Sequence, residues 1–302
     1  MRIVSPGTTA PRPATRLFAY DAEVVTPYAD DALQDAVAAT ADGDGVVSVV
    51  ARAAGEDAPR VTIEPDARHY SASIMKLPIL VAAHRLAERG RLNLDRPVLV
   101  HDDFASRNPG RHFTMDEGED SDPATWAAVG RDVRLADLVH RMVTVSGNLA
   151  TNLVLDEVGT DEVATVLADA GCSERTTIVR GIEDYAAREV GLDNVITADD
   201  MARLLVALAQ GRLAGPEATA ACERTLQAQE YRDGIPAGLP GDVVVGNKTG
   251  WIDGVNHDVA LVRASGLPPV GLAVLVSADG TPEQREAAIA RIARAAWARV
   301  TG

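Results

Sequence analysis

The spacing of hydrophobic residues changes along the chain, and short β-branched runs lie toward both of its ends. Residues 46–51 and 61–63 are two such runs, and a stretch with turn residues separates them. Runs at 243–245, 259–262 and 270–276 follow in the last third of the chain. Short runs of this composition, bounded by turn residues, are typical of strands. The pattern therefore predicts a hairpin near the start and further strands near the end.

Elsewhere, apolar residues recur every three or four positions, which predicts helices. Gly90, Gly159 and Gly171 follow the apolar positions of three of these segments, as glycine does where helices end. Thr281 and Pro282 suit the cap and the first turn of the last helix. The predicted helices span residues 29–41, 73–90, 135–145, 148–158, 160–170, 197–208, 216–229 and 281–300.

Strands at both ends with helices between them favour one simple architecture. We expect an α/β (α+β) fold, in which both chain ends build an antiparallel sheet flanked by the N- and C-terminal helices. An all-helical domain is inserted into it. The predicted division is a flexible lead-in at 1–26, a sheet domain made of 27–70 and 225–302, and an inserted helical domain at 71–224.

Residues 101–130 interrupt the helical block, because they are polar and show no regular period. They include the acidic stretch 116–120 and the turn residues of 108–110. Such a segment predicts a long surface loop over a cleft. Trp126 lies within it, and we expect its indole to pack the loop against the rest of the protein.

Composition and charge narrow the classes of partner. Hydrophobic residues make up 46% of the chain and charged residues 24%, as in ordinary globular proteins. The net charge is −15, from 44 acidic and 29 basic residues. This charge argues against nucleic acids and anionic membrane surfaces as partners. We expect a monomer that acts on a small molecule, with no metal and no cofactor.

Targeting signals and disulfides are not evident in the sequence. There is no run of 18 apolar residues for a membrane span, and the first 25 residues lack the apolar core of a secretory signal. We therefore expect a soluble protein, cytoplasmic as written, or periplasmic or secreted if the true N-terminus differs. Cys172 and Cys222 lie in alanine-rich stretches, where free buried thiols are a better interpretation than a disulfide.

The first candidate for chemistry is the helical turn that holds Ser73 and Lys76. Residues three apart on a helix share one face, so the hydroxyl and the amine point the same way. A serine hydroxyl needs a neighbouring base to act as a nucleophile, and a buried lysine is such a base when neutral. The alternative is that two unrelated polar residues happen to begin a helix.

Two further polar segments lie in otherwise apolar surroundings. Ser146-Gly147-Asn148 separates two helices, and the alternative interpretation is a glycine kink with capping side chains. Lys248-Thr249-Gly250 follows the apolar residues 243–247, where a lysine that ends a buried strand suits a carboxylate ligand at a strand edge. Its glycine permits close approach to the backbone. The alternative there is a turn at the end of a strand.

In this order, the three segments resemble the signature of the serine β-lactamase and penicillin-binding-protein superfamily. The resemblance covers the chain from about Asp30 to the C-terminus. It is closest to class A β-lactamases, since the stretches 135–159 and 197–205 also look like theirs.

The resemblance implies a role for each residue of these segments. Ser73 is the acylated nucleophile and Lys76 its base or proton relay. Ser146 passes a proton to the leaving nitrogen with the help of Lys248. Asn148 holds the amide side chain of the substrate. The resemblance also implies that Lys248 and Thr249 bind the carboxylate of the substrate. It implies that the backbone N–H groups of Ser73 and Trp251 form the oxyanion hole, and that the strand beyond Gly250 pairs with the substrate.

The sequence departs from class A at the group that releases the acyl-serine. Class A enzymes carry a glutamate and, four residues later, an asparagine in a loop. Glu183 is the best candidate here, but position 187 is alanine, and Glu189 is a poorer candidate. The alternative is that Glu183 is a solvated surface carboxylate. Arg180 with Asp193 or Asn194 suits a clamp across the ends of this loop, as in the family.

A second departure lies on the strand after Gly250, where family members often place an arginine that holds the substrate carboxylate. The nearest residue here is His257, and we favour a histidine that simply fills a strand position over one that replaces the arginine.

The preferred hypothesis is a class A-type serine hydrolase that opens a β-lactam amide through an acyl-serine, with Glu183 as the deacylating base. One alternative is a peptidase, amidase or esterase of the same fold that acts on a non-antibiotic substrate. Another is a penicillin-binding module that is acylated and turns over slowly.

Overall fold

A computed structural model describes residues 31–41 and 43–302, so the predicted lead-in at 1–26 lies outside the described residues. The strands are β1 (Val46–Ala53), β2 (Val61–Ile63), β3 (His69–Tyr70), β4 (Pro97–Leu99), β5 (Asp103–Ala105), β6 (His112–Thr114), β7 (Asp132–Arg134), β8 (Val195–Ile196), β9 (Val244–Ile252), β10 (Val255–Arg263) and β11 (Val270–Ser277). The helices are α1 (Asp31–Ala38), α2 (Lys76–Glu88), α3 (Pro123–Trp126), α4 (Leu135–Thr144), α5 (Asn148–Val158), α6 (Thr160–Ala170), α7 (Tyr185–Glu189), α8 (Ala198–Ala209), α9 (Pro216–Gln227), α10 (Ile235–Gly238) and α11 (Pro282–Thr301).

The main sheet combines strands from both ends of the chain, which confirms the predicted fold class. Its strands are antiparallel and lie in the order β2-β1-β11-β10-β9. Strand β1 pairs with β11, from Val46 opposite Ser277 to Ala53 opposite Val270. Strand β9 lies at one edge of the sheet, where it pairs with β10.

The two faces of the sheet pack against different helices. On one face, Leu33 of α1 packs with Ile289 and Trp297 of α11 in an apolar core. The strand side chains that point toward these two helices complete this core. On the other, residues such as Val259 and Leu275 join a core that continues into the middle of the chain. This alternation is what two-residue periodicity produces when both faces of a sheet are covered.

Helix α2 is the centre of the second core. Every residue from Leu77 to Ala83 is fully buried or nearly so, because α4, α5, α6 and α9 surround the helix. Such a helix needs apolar side chains on all its faces, as its sequence has. Arg89 and Gly90 then end it, with Gly90 at φ +66°.

The middle of the chain also holds short strands that the hydrophobic pattern did not predict. Three two-stranded ladders, β3 with β8, β4 with β7 and β5 with β6, lie among the helices. The polar segment 101–130 contains one of them together with a short 3-10 turn and α3, so it is more ordered than a simple loop. Trp126 packs against the core as expected. The division of the chain into domains stays a prediction.

Strand β9 differs from the strand predicted at 243–245. It runs from Val244 to Ile252, so Lys248-Thr249-Gly250 lies inside the strand, not at its end. The prediction ended the strand too early because the residues that follow are polar. Backbone pairing with β10 does not depend on side-chain polarity, so the strand continues through them.

Two smaller expectations have a structural outcome. Cys172 and Cys222 are free, as predicted. In the part of the chain that the structure describes, no helix has the length and apolarity needed to cross a membrane.

Candidate active site

Ser73 sits in a single 3-10 turn, Ala72–Met75, that leads directly into α2. The neighbouring strand β9 approaches this turn very closely at Gly250. A Cβ atom on Gly250 would lie 2.9 Å from the backbone nitrogen of Ser73 and 3.0 Å from that of Ile74. Only glycine permits this distance, so the residue type at 250 brings the edge strand and the Ser73 turn together.

Lys76 and Lys248 converge on Ser146 from two different elements. Lys76 Nζ donates to the Ser146 carbonyl oxygen at 2.6 Å and to Asn148 Oδ1 at 2.9 Å, and lies 3.2 Å from Ser146 Oγ. Lys248 Nζ donates to Ser146 Oγ at 3.0 Å and to the Thr249 carbonyl oxygen at 2.7 Å. The side chains of Lys76, Lys248 and Ser146 are all buried.

Burial lowers the pKa of both lysines. Loss of hydration lowers the pKa of Lys76 well below its usual value, and the nearby charge of Lys248 lowers it further. Burial lowers the pKa of Lys248 to about 7, against the attraction of Asp258. A neutral Lys76 amine has two N–H groups, which its two carbonyl acceptors satisfy, and a lone pair left for a hydroxyl. Lys76 is therefore poised to accept a proton.

A tight turn presents the Ser146 hydroxyl between the two lysines. Ser146 has φ +59°, a left-handed conformation that non-glycine residues rarely adopt. Gly147 follows with no room for a side chain, since a Cβ there would lie 2.8 Å from Asp122 Oδ2. Asp122 is itself fixed by an ion pair with Arg141. The surrounding contacts thus hold a strained turn in place.

Asp120 holds the start of α5, and sequence reasoning missed this residue. Its carboxylate accepts the backbone N–H groups of Asn148 and Leu149, each at 2.8 Å, and the indole N–H of Trp126 at 2.9 Å. It thereby caps a helix from a distant loop. The acidic stretch 116–120 was visible in the sequence, but nothing there indicated which of its carboxylates turns inward.

Glu183 lies on a loop whose two ends are clamped as expected. Arg180 Nη2 donates to Asp193 Oδ1 at 2.6 Å, and Asn194 Oδ1 accepts the backbone N–H of Arg180 at 3.1 Å. Arg180 is buried, so this pair acts inside the protein. Both candidates for the partner, Asp193 and Asn194, therefore contribute to the clamp.

The Glu183 carboxylate is anchored and half-buried, unlike a freely solvated surface group. Its Oε2 accepts the backbone N–H of Asp116 at 2.9 Å, while its Oε1 is buried and has no partner within residues 31–41 and 43–302. Burial raises the pKa of Glu183, and the charges of Asp116 and Asp120 add to the effect. The residue has φ +63°, a second strained position in the site.

Asn152 fixes the loop that carries Glu183, and its role was also missed. Its side chain donates to the Ile182 carbonyl oxygen at 2.9 Å and accepts the Ile182 N–H at 2.8 Å. Asn152 comes four residues after Asn148 on α5, so helical spacing places both amides on the same face. That spacing was the available signal. Ala187 is fully buried in α7 and presents no polar side chain to the loop.

His257 fills a strand position, as favoured. Its ring is buried opposite Gly250 in the β9–β10 pair. Nε2 contacts the Tyr70 carbonyl oxygen at 3.0 Å, and Nδ1 accepts the Val276 N–H at 3.0 Å. Both ring nitrogens are therefore engaged with backbone, and burial lowers the pKa of His257 to about 4.

Thr249 and Trp251 flank Gly250 on the other face of β9. The Thr249 hydroxyl oxygen is buried and has no hydrogen-bond partner among the residues that the structure describes. Trp251 is 38% exposed and stacks edge-to-face with Tyr231 at 4.8 Å between ring centroids. The structure thus brings Ser73, Lys76 and Ser146 together with the edge strand, and places Glu183 on the clamped loop beside α5.

A family model described as the beta-lactamase enzyme family matches residues 29–300. The chain belongs to this family. Among solved structures, it is similar to the β-lactamase from Sphaerobacter thermophilus DSM 20745, with 26% identity, 89% of this chain and 96% of that chain covered, and a TM-score of 0.75.

Two further structures share the fold of this β-lactamase-family protein. The last common ancestor of Gram-negative bacteria (GNCA4) beta-lactamase class A has 23% identity, a TM-score of 0.73, and coverage of 89% of this chain and 97% of that one. PBP-A has 19% identity and a TM-score of 0.73, with coverage of 89% and 96%. No curated protein matches the chain.

Proposed function

We propose that the protein is a serine hydrolase of class A β-lactamase type, which opens a β-lactam amide through an acyl-serine intermediate. The observation that carries the proposal is the buried Lys76 amine, which is held at Ser146 beside the turn of Ser73. A Lys248 ammonium contacts the same hydroxyl from the edge strand. Family membership supports the class of reaction.

Acylation begins with attack of Ser73 Oγ on the lactam carbonyl carbon. The hydroxyl proton passes to the neutral Lys76 amine, and negative charge develops on the carbonyl oxygen. The backbone N–H groups of Ser73 and Trp251 serve as the oxyanion hole. The close contact of Gly250 with the Ser73 turn supports this role, because it brings the two backbones side by side.

Collapse of the tetrahedral intermediate breaks the carbon–nitrogen bond. The leaving nitrogen takes the proton of the Ser146 hydroxyl, which a neighbouring lysine ammonium replaces. Ser146 Oγ lies within reach of both Lys76 and Lys248, so the proton accepted from Ser73 has a short path to the leaving group.

Release of the acyl group requires a water molecule and a base. We assign the base to Glu183, whose carboxylate takes a proton from the water as the water oxygen attacks the ester carbonyl carbon. The bond between this carbon and Ser73 Oγ then breaks, and Ser73 Oγ takes up the proton, which restores the free serine and the Glu183 carboxylate. Burial and neighbouring carboxylates raise its pKa, which strengthens it as a base. Asn152 orients its loop through Ile182.

Substrate contacts follow from the remaining side chains. Asn148 presents its amide from the start of α5 to the side chain of the substrate, and Gly250 with Trp251 offers edge-strand backbone. Lys248 and Thr249 contact the far, polar end of the substrate. The unpartnered Thr249 hydroxyl supports such a contact, because a buried hydroxyl without a partner is costly unless a ligand satisfies it.

The test is a time course of intact-protein mass spectrometry after addition of a penicillin, together with hydrolysis of a chromogenic cephalosporin. We expect rapid addition of one acyl group at Ser73, followed by its release, and no addition in Ser73→Ala. Acylation without release would identify a penicillin-binding module. Absence of both, with Ser73 intact, would contradict the proposal and favour a peptidase, amidase or esterase.

A further inference from the structure

Trp251 places a large aromatic side chain on the edge strand, directly after Gly250. Because side chains alternate along a strand, the indole lies on the same face of β9 as Thr249. Its partner across the β9–β10 pair is Asn256, which is buried and accepts a hydrogen bond from Arg285 at 2.8 Å. The position beneath the indole is therefore filled, and the ring stays at the strand edge beside Thr249.

Tyr231 packs against this indole from the segment between α9 and α10. The two rings meet edge-to-face with 4.8 Å between their centroids. The Tyr231 backbone is fixed, since its N–H donates to Gln229 Oε1 at 3.1 Å and its carbonyl oxygen accepts from Asn247 Nδ2 at 3.1 Å. Gln229 also donates to the Val143 carbonyl oxygen at 2.8 Å. The aromatic pair is thus attached both to the edge strand and to the end of α4, which leads into the Ser146 turn.

Little room remains between the aromatic pair and Thr249. Tyr231, Trp251 and Thr249 line a cavity of about 20 Å³ beside the strand edge. A cavity of about 10–15 Å³ is enough for one water molecule, so this one holds one or two. Space of this size suits the oxygens of a carboxylate at Thr249, but not a ring or a branched group beside them.

A substrate that is acylated at Ser73 brings its ring close to the aromatic pair. In the proposed function its amide lies at Ser73 beside Gly250, and its carboxylate reaches Lys248 and Thr249. Thr249 and Trp251 are two residues apart on one face of the strand, so about 7 Å separate their Cα atoms. A substituent on the ring carbon next to the one that bears the carboxylate extends over a comparable distance, and a bulky one therefore meets the indole.

We propose that Trp251 and Tyr231 form a steric gate beside Thr249, which admits the substrate carboxylate but disfavours a bulky group on the neighbouring ring carbon. The two side chains are specificity-determining, since they contact the substrate ring without taking part in proton transfer. The inference rests on the proposed function, because it concerns the substrate of the same serine. It goes beyond the resemblance, which assigns the Trp251 backbone to the oxyanion hole and gives the indole no role.

The test compares two cephalosporins that share one nucleus, one acylamino side chain and one free carboxylate, so that charged residues act on both alike. The ring carbon next to the one that bears the carboxylate holds a methyl group in one and a phenyl group in the other. The rate of Ser73 acylation per lactam concentration is measured by mass spectrometry and divided by the rate of hydrolysis by hydroxide, which corrects for reactivity. We expect the methyl compound to be faster by roughly tenfold or more, as for an overpacked site. Equal corrected rates, or a faster phenyl compound, overturn the proposal.

Variants of the two aromatic residues locate the effect. Trp251→Ala and Tyr231→Ala open the gate and should each reduce the methyl-to-phenyl ratio by about three- to tenfold, while alanine keeps the backbone N–H of the oxyanion hole. Tyr231→Phe keeps the ring and should retain the ratio. Val244→Ala is the matched control, because it removes an exposed apolar side chain at the other end of β9. An unchanged ratio in both alanine variants of the gate overturns the assignment.

A binding measurement separates failure of the gate from failure of the proposed function. Isothermal titration calorimetry of Ser73→Ala, which cannot be acylated at this position, reports binding of the two lactams alone. The methyl compound should bind more tightly, and addition of Trp251→Ala should narrow the difference. If no lactam acylates Ser73 in the unmodified protein but this preference holds, the proposed function fails and the gate stands. Equal or reversed affinities, or binding of neither lactam, overturn the gate.

Discussion

At the scale of single residues, the candidate site contains a lysine whose pKa the protein lowers. Lys76 is fully buried and experiences the charge of Lys248, and both factors lower its pKa. The negative charges of Asp120 and Asp122, in the segment 101–130, oppose this shift because they raise the pKa of Lys76. We expect these opposing influences to leave Lys76 able to accept the proton of Ser73 in the proposed reaction.

Glu183 is the residue whose substitution tests release of the acyl group. Glu183→Gln keeps the size of the side chain but removes the base, so the acyl-enzyme should accumulate and turnover should fall by about 10²- to 10⁴-fold. Mass spectrometry of the quenched reaction checks both effects. Glu189→Gln is the matched control, since Glu189 is an exposed glutamate six residues further along, at the end of α7. Unchanged turnover in Glu183→Gln would remove Glu183 from the mechanism.

At the scale of elements, Asp120 of the segment 101–130 caps the start of α5. Asp120→Ala leaves two backbone N–H groups and the Trp126 indole without their acceptor. We expect a loss of about 1–2 kcal/mol of unfolding free energy, as for helix caps. Acylation should also slow, because Asn148 begins this helix. Denaturant unfolding and acylation rates measure the two effects.

The control for this cap is Glu117→Ala, which removes an exposed carboxylate from the same loop. Asp120→Asn retains an acceptor oxygen and should recover part of the stability. Equal unfolding free energies in Asp120→Ala and Glu117→Ala would contradict the capping role.

The packing of β3 against β10 makes stability depend on pH through His257. Its pKa is about 4 in the folded protein, against about 6.5 when unfolded. Below pH 6.5 the unfolded chain takes up a proton that the folded protein refuses, so stability falls as the pH falls toward 4. His257 alone should cost about 2 kcal/mol between pH 7.5 and pH 5.

His257→Gln tests this linkage, because an amide can contact the Tyr70 carbonyl and the Val276 N–H without titrating. Its loss of stability between pH 7.5 and 5 should be smaller than that of the unmodified protein. His69, which lies 5.3 Å away between ring centroids and whose pKa is also lowered by burial, keeps part of the dependence. The exposed His140→Gln is the control, and the same pH dependence in all three proteins would contradict the prediction.

At the scale of the whole molecule, the features that could be predicted from the sequence are those that depend on local periodicity and on the order of the motifs. The apolar run after Lys76 predicted a central buried helix, and strands at both ends predicted one shared sheet. Asp120 was missed because it caps a helix that begins 28 residues later. The length of β9 was missed because pairing with β10, and not side-chain type, extends that strand through Lys248.

The net charge of −15 acts on every charged substrate before it reaches Ser73. At low ionic strength, a substrate with a carboxylate is repelled by the whole surface, whereas one with an ammonium is attracted. Raising the salt from about 0.01 M to about 1 M shortens the screening length from about 30 Å to about 3 Å. Three β-lactams that share one nucleus measure the effect: their ring carboxyl group is free, converted to a neutral methylamide, or converted to a cationic aminoethylamide. With added salt, acylation by the β-lactam with the free carboxylate should speed up, and acylation by the cationic one should slow down.

The neutral methylamide is the control for salt effects on the protein itself, and its rate of acylation should not depend on the charge of the surface. A rate for the β-lactam with a free carboxylate that falls with added salt would contradict long-range repulsion by the negatively charged protein.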